Sequence, residues 1–77
     1  MLNERLARVI ATTFKTEVGD INSETAPGNL KAWTSVGHLK LIMELEEEFG
    51  IRFRGSEIAE LNSVGRIQAA LERLKAR

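Results

Sequence analysis

One amphipathic segment with a clear start and a clear stop dominates this chain of 77 residues. Two hydroxyl residues, Thr34 and Ser35, precede apolar residues at helical spacing, and Gly50 follows Phe49. Hydroxyl side chains cap helix starts and glycine ends helices, so we predict a helix from Ser35 to Phe49. Ser35 is the expected N-cap, although Thr34 can fill the same role.

The same kind of pattern predicts three further helices. The first is capped by Asn3 and extends to about Lys15, with Leu6, Val9, Ile10 and Phe14 on one face. A short helix follows the central one, from Ser56 to Glu60, with Ser56 as its cap. The last helix is capped by Ser63 and carries Val64, Ile67, Leu71 and Leu74 at helical spacing.

The segments between the helices contain turn-forming residues and a few apolar ones. A long loop is predicted from Glu17 to about Thr34, and its expected inward anchors are Ile21, Leu30 and Trp33. Ile51 and Phe53 alternate with arginines, but an isolated strand has no partner in a helical chain, so they are expected to fill the core from a connector. The expected fold is all-α: one domain over residues 1–77, a small four-helix bundle with a long first loop and a short third helix.

The two sides of the central helix differ. At about 100° per residue, one arc collects the core-facing residues His38, Leu41, Ile42, Leu45 and Phe49, with Leu39 at its margin. The opposite arc collects Val36, Lys40, Met43, Glu44 and Glu47. Single exposed apolar residues are ordinary on protein surfaces, but Val36 and Met43 are two turns apart on one face. This spacing raises the alternative of a partner-docking surface, and the residues alone leave both interpretations open.

Composition excludes several classes of function. The chain has no cysteine and one histidine, so it offers no disulfide, thiolate nucleophile or His-rich metal site. Its formal net charge is zero and its apolar runs are short, which argues against nucleic-acid binding and against a membrane span. We expect a cytoplasmic monomer with no metal and no catalytic residues.

The stretch from Trp33 to Ile51 resembles the signature of acyl carrier proteins. In that family a serine at the start of the second helix carries a 4'-phosphopantetheine arm, and the family usually has Asp-Ser-Leu where this chain has Thr34-Ser35-Val36. The resemblance covers nearly the whole chain and implies a fold of the acyl carrier type, with the arm attached to Ser35. It implies a carrier and not an enzyme, a phosphoprotein modified by a phosphopantetheinyl transferase.

The resemblance also implies how such a carrier works. An acyl group held as a thioester would be sheltered by the apolar interior, and the exposed face of the second helix would dock on acyl-transferring or acyl-modifying enzymes. Gly37 and Lys40 occupy positions that are often acidic in the family. Together with the zero net charge, this implies a specialised carrier of lipid, polyketide or other secondary metabolism, and not the housekeeping carrier of fatty acid biosynthesis.

Two other classes of function stay open from the residues. An unmodified carrier-like module for protein interaction would keep the fold and the docking helix, and Thr34 favours it because the family's aspartate is missing. A small helix-turn-helix nucleic-acid binder is disfavoured, since the central helix is acidic and phosphate contacts need a basic face.

Overall fold

The computed structural model describes residues 2–75 and shows a small helical bundle. Its α-helices are α1 (Glu4–Phe14), α2 (Ser35–Phe49), α3 (Gly55–Ile58) and α4 (Val64–Lys75), and a 3-10 turn covers Val18–Asp20. No strand occurs between residues 2 and 75. The all-α prediction, with its long first loop and short third helix, is confirmed. The predicted single domain also includes residues 1, 76 and 77, which lie outside the described part.

Three of the predicted helix boundaries are confirmed, two by side-chain hydrogen bonds and one by backbone conformation. Asn3 Oδ1 accepts from the N–H of Leu6 at 3.1 Å and caps α1. Ser63 Oγ accepts from the N–H of Arg66 at 3.2 Å at the start of α4. Gly50 ends α2 with φ of 63°, a left-handed conformation that glycine adopts without steric cost. Each of these three helix ends is therefore determined by a residue at or next to the end itself.

The cap of α3 differs from the prediction. Glu57 Oε1 accepts from the backbone N–H of Arg54 at 2.9 Å, and α3 begins at Gly55. Ser56 is exposed and does not cap the helix, so that prediction is wrong. The hydrogen bond from Arg54 lowers the pKa of the Glu57 carboxyl, and the adjacent Arg73 guanidinium lowers it further. An ionised side chain that reaches back to the helix start thus replaces the serine.

A single apolar core joins the three longer helices to the loops. The buried apolar residues are Leu6, Ala7, Ile10, Ala11, Phe14, Ile21, Trp33, Leu41, Ile42, Leu45, Phe53, Leu61, Val64, Ile67, Ala70 and Leu71. Of the predicted loop anchors, Ile21 and Trp33 are buried and Leu30 is partly buried against the core. Phe53 fills the core from the connector as predicted, and Ile51 packs at its edge.

The long loop is held against the start of α4. The N–H of Val64 donates to the carbonyl of Thr25, and the N–H of Gly65 donates to the carbonyl of Ser23, both at 2.8 Å. These donors belong to the first turn of a helix, where backbone N–H groups have no partner within the helix. The side chain of Thr25 is buried and accepts from the N–H of Asn22 at 3.0 Å. The loop therefore has a fixed path, and it leads to Trp33 and the start of α2.

Candidate functional site

Thr34, and not Ser35, caps α2. Thr34 Oγ1 accepts from the N–H of Gly37 at 3.1 Å, and the backbone of Thr34 is extended, as an N-cap requires. Ser35 is the first residue of the helix, so its expected role as the cap is wrong. Its side chain is exposed and makes no hydrogen bond within residues 2–75. The hydroxyl of Ser35 is therefore available for chemistry.

The electrostatics around Ser35 suit a negatively charged substituent. Ser35 stands at the positive end of the 15-residue helix α2, whose first turn contains no acidic residue. Backbone N–H groups at such a position favour phosphate groups. A phosphodiester on Ser35 Oγ would thus lie close to the helix start, without a neighbouring carboxylate on the same turn.

The first turn of α2 is packed tightly against the loop that precedes it. A Cβ atom at Gly37 would lie 2.4 Å from the carbonyl oxygen of Ala32 and 3.1 Å from Phe14 Cε1. Since real Cβ atoms do not approach a carbonyl that closely, only glycine fits here without moving the loop. Gly37 therefore fixes the position of the backbone that carries Trp33 and Thr34.

A chain of hydrogen bonds runs from the loop through α2 to α3. Trp33 Nε1 donates to His38 Nδ1 at 2.9 Å, and His38 Nε2 lies 2.8 Å from the carbonyl oxygen of Ile58. Because Nδ1 accepts, the imidazole is the neutral tautomer that donates from Nε2. Trp33 also packs on Phe14, with ring centroids 5.5 Å apart. We call this chain, Trp33 to His38 to Ile58, the polar link.

A groove next to Ser35 follows the polar link on the protein surface. It has a volume of about 770 Å³ and is lined by Pro27, Trp33, Thr34, Ser35, His38, Leu39, Gly55, Ile58, Ala59 and Asn62. We call it the serine groove. Most of these residues are apolar, and Ser35 is part of its wall. Any group attached to Ser35 therefore starts in this groove.

The predicted docking surface is exposed along α2. All five of its residues are exposed: Val36, Lys40, Met43, Glu44 and Glu47. The exposed fractions of Val36 and Met43 are 77% and 68%, high for apolar side chains. Leu39 is also exposed, at 56%, although its arc placed it at the margin of the core. The sequence analysis did not identify Leu39 as a surface residue. The only indication was its position at the margin of the core-facing arc of the helix.

The acidic end of α2 faces α1. Lys40, Glu44 and Glu47 line a second groove, of about 630 Å³, together with residues of α1. Arg5 on α1 forms an ion pair with Glu48 at 3.0 Å, and its guanidinium lies 4.7 Å from the ring centroid of Phe49. Part of the acidic charge of α2 is therefore already paired within the protein.

Within residues 2–75, no group of three His, Cys, Asp or Glu side chains is placed to hold a metal ion. No helix in that part of the chain has the length and apolar character needed to cross a membrane.

Comparisons with known proteins identify the fold. No protein-family model and no curated protein matches the sequence. A solved structure does match: the solution NMR structure of a holo acyl carrier protein from Geobacter metallireducens. Its sequence is 27% identical, the match covers 95% of this chain and 84% of that one, and the TM-score is 0.85.

Proposed function

We propose that this chain is a member of the acyl carrier protein family and that it holds an acyl group as a thioester on a 4'-phosphopantetheine arm at Ser35. The observation that carries the proposal is the exposed hydroxyl of Ser35, left free because Thr34 caps α2. The structural neighbour is a holo acyl carrier protein, which supports the same prosthetic group here.

The residues around Ser35 fit such an arm. When bound, the arm supplies the terminal thiol to which the acyl group is attached. The start of α2 offers unpaired N–H groups to the phosphodiester, and the serine groove offers an apolar surface beside it. Nothing in the arrangement calls for catalysis by the chain itself. Its role would be to hold the acyl group and present it to enzymes.

We propose that partners dock on the exposed face of α2, formed by Val36, Lys40, Met43, Glu44 and Glu47. The partners would be a phosphopantetheinyl transferase and enzymes that transfer or modify acyl groups. The start of this face is apolar and carries Lys40, and acids follow only towards its end. Partners that select an acidic first turn should bind weakly, so we propose a specialised lipid, polyketide or other secondary-metabolite pathway.

A second candidate is an interaction module that keeps the fold but is never modified. The residue that favours it is Thr34, because a hydroxyl cannot supply the negative charge that the family's aspartate offers to the transferase. The docking face would be the same in both cases. The two candidates therefore differ only in what happens at Ser35.

Intact mass separates these candidates. The protein is co-expressed with a broad-specificity phosphopantetheinyl transferase, and we expect a mass gain of one phosphopantetheine group that Ser35→Ala abolishes. Ser56→Ala is the matched control, since Ser56 is also an exposed serine in a first helical turn. No mass gain with any transferase would favour the unmodified module. An arm mapped to Thr34, Ser56 or Ser63 would show that the attachment site is wrong.

A further inference from the structure

The interior of the bundle is occupied by its own side chains. Leu41 and Leu45 on α2 and Ile67 on α4 have no exposed surface and belong to one continuous core. Protein interiors are packed as densely as organic crystals, so additional atoms force the existing side chains apart. A long alkyl chain can enter this core only by displacing residues that already fill it.

The polar link joins α2 to α3 next to Ser35. His38 lies one turn after Ser35 on α2, and its ring reaches the carbonyl of Ile58, the last residue of α3. Trp33, only 3% exposed, fixes the other side of the ring. Entry to the core at this point would break a hydrogen bond and leave half-buried polar atoms without partners, which is costly.

The serine groove offers a more accessible place for an acyl group. Leu39 and Ile58 provide apolar surface in it, and both side chains are already partly in contact with solvent. Asn62 lines the same groove, is exposed and makes no hydrogen bond within residues 2–75. Its amide can donate to and accept from a hydroxyl or keto group. Besides the attachment residue Ser35, the groove therefore combines an apolar surface with the amide of Asn62 as a possible hydrogen-bond partner for the acyl group.

We propose that the polar link bars the acyl group from the interior, so that the group lies in the serine groove, and that this carrier serves short or polar acyl groups instead of long alkyl chains. The inference rests on the proposed carrier function, since it assigns the substrate class of the same site. It makes Trp33 and His38 residues that determine specificity without contacting the reacting atoms.

A chemical attachment tests this without any transferase. The chain contains no cysteine, so Ser35→Cys creates a unique thiol that can carry a butyl or a dodecyl group through a disulfide. The readout is the methyl NMR spectrum of the folded variant. We expect both groups to shift the methyl signals of Leu39 and Ile58 and to leave those of Leu41, Leu45 and Ile67 unchanged. Dodecyl-induced shifts in these three core residues would overturn the inference.

The matched control places the same groups elsewhere. Glu72 is exposed on α4 and does not line the serine groove, so Glu72→Cys provides an attachment point of similar accessibility. A dodecyl group there should leave Leu39 and Ile58 unshifted. Equal shifts from both attachment points would mean that the groove is not specific for groups on residue 35, which also contradicts the inference.

Variants of the polar link test its role as a barrier. Trp33→Phe keeps an aromatic ring against Phe14 but removes the donor to His38, and His38→Leu removes both hydrogen bonds. In the Ser35→Cys background, we expect either variant to admit the dodecyl group, seen as new shifts of Leu41 and Leu45, with no such change for butyl. If both variants fold, as far-UV circular dichroism will show, and the core signals still do not move, the link is not the barrier.

If neither variant folds, thermal unfolding of the labelled Ser35→Cys protein still decides where the group lies. A dodecyl group buried in the core should raise the unfolding midpoint relative to butyl, whereas groups in the open groove should give the same midpoint. These outcomes are independent of the proposed function. Absence of phosphopantetheine transfer would contradict the proposed carrier function. A dodecyl group in the core would contradict only the inference that the acyl group lies in the serine groove.

Discussion

The hydroxyl of Thr34 accepts a hydrogen bond from the backbone N–H of Gly37 at the start of α2. Both residues depart from the acyl carrier pattern, and in the structure they act together. Thr34 supplies a neutral cap in place of a carboxylate, and Gly37 leaves room for the carbonyl of Ala32. The departures therefore preserve the helix start while removing the negative charge around Ser35.

The first prediction concerns the missing carboxylate. Thr34→Asp should speed the modification of Ser35 by a standard phosphopantetheinyl transferase, because it restores a charge that the transferase recognises. Stability should hardly change, since aspartate also caps helices. The measurement is the initial rate of mass gain under matched conditions. Thr34→Asn is the control, because it caps without charge, and equal rates for all three proteins would mean that the departure is neutral.

The second prediction concerns Gly37. In most helices Gly→Ala stabilises by about 1 kcal/mol. Here the new Cβ would lie 2.4 Å from the carbonyl oxygen of Ala32, so we expect Gly37→Ala to destabilise by about 1–3 kcal/mol, as overpacking does. Chemical denaturation measures the free energy of unfolding. Gly55→Ala, where no atom beyond the adjoining residues and the backbone of the helix lies within 4 Å of the new Cβ, should not destabilise. An unchanged free energy of unfolding for Gly37→Ala would show that the loop at Ala32 moves aside at little cost.

The third prediction concerns docking on α2. Met43→Ala should weaken binding of a partner enzyme by about 1–2 kcal/mol if Met43 anchors the contact. Glu47→Lys should mainly slow association and reduce its salt dependence. Thermal stability should barely move, since both residues are exposed. Val18→Ala, at an exposed apolar residue outside α2, is the control.

Backbone NMR shifts during titration with the enzyme would check the location of this surface. Shifts confined to α1 and α4, with Met43 and Glu47 unaffected, would mean that the docking face has been misplaced.

The fourth prediction concerns pH and Glu57. The folded protein lowers the pKa of this carboxyl, so its ionised form stabilises the fold at pH values above the ordinary pKa of a glutamate. That contribution should be lost as the pH falls through the lowered pKa of the folded state. Glu57→Gln keeps an acceptor for the N–H of Arg54 but has no charge to lose.

Thermal unfolding across the acidic range measures the effect. At neutral pH, Glu57→Gln should lower the Tm by a few degrees. The difference from the parent protein should disappear at the acidic end. A difference that stays constant over the whole range would show that the charge of Glu57 contributes nothing to stability.

Helix positions could be predicted wherever the determining chemistry is local. Asn3, Ser63 and Gly50 each act on a backbone within a few residues, and α2 has the predicted bounds. The choice of Ser35 over Thr34 as the cap of α2 was wrong, because both are hydroxyl residues and only the path of the loop decides which one caps. The cap of α3 was missed because a carboxylate from inside the helix supplies it.

The site itself was only partly predictable. The exposure of the face of α2 follows from helical periodicity, whereas the proposed role of Ser35 comes from the resemblance of the stretch from Trp33 to Ile51 to the acyl carrier signature. The polar link does not, since Trp33, His38 and Ile58 are brought together by the packing of a loop and two helices. Hydrogen bonds between residues as far apart as 38 and 58 leave no periodic signal in a sequence. The imidazole was correctly placed towards the interior, but its two partners depend on the tertiary fold.

Trp33 is the sole tryptophan of the chain and its indole N–H is hydrogen-bonded to an imidazole beside the serine groove. All tryptophan fluorescence of the protein therefore comes from a side chain that lines the serine groove. A change in emission wavelength or lifetime on loading would report occupancy in real time, without a label and without separating the loaded form. The same indole that stabilises the loop thus gives this protein a built-in optical signal.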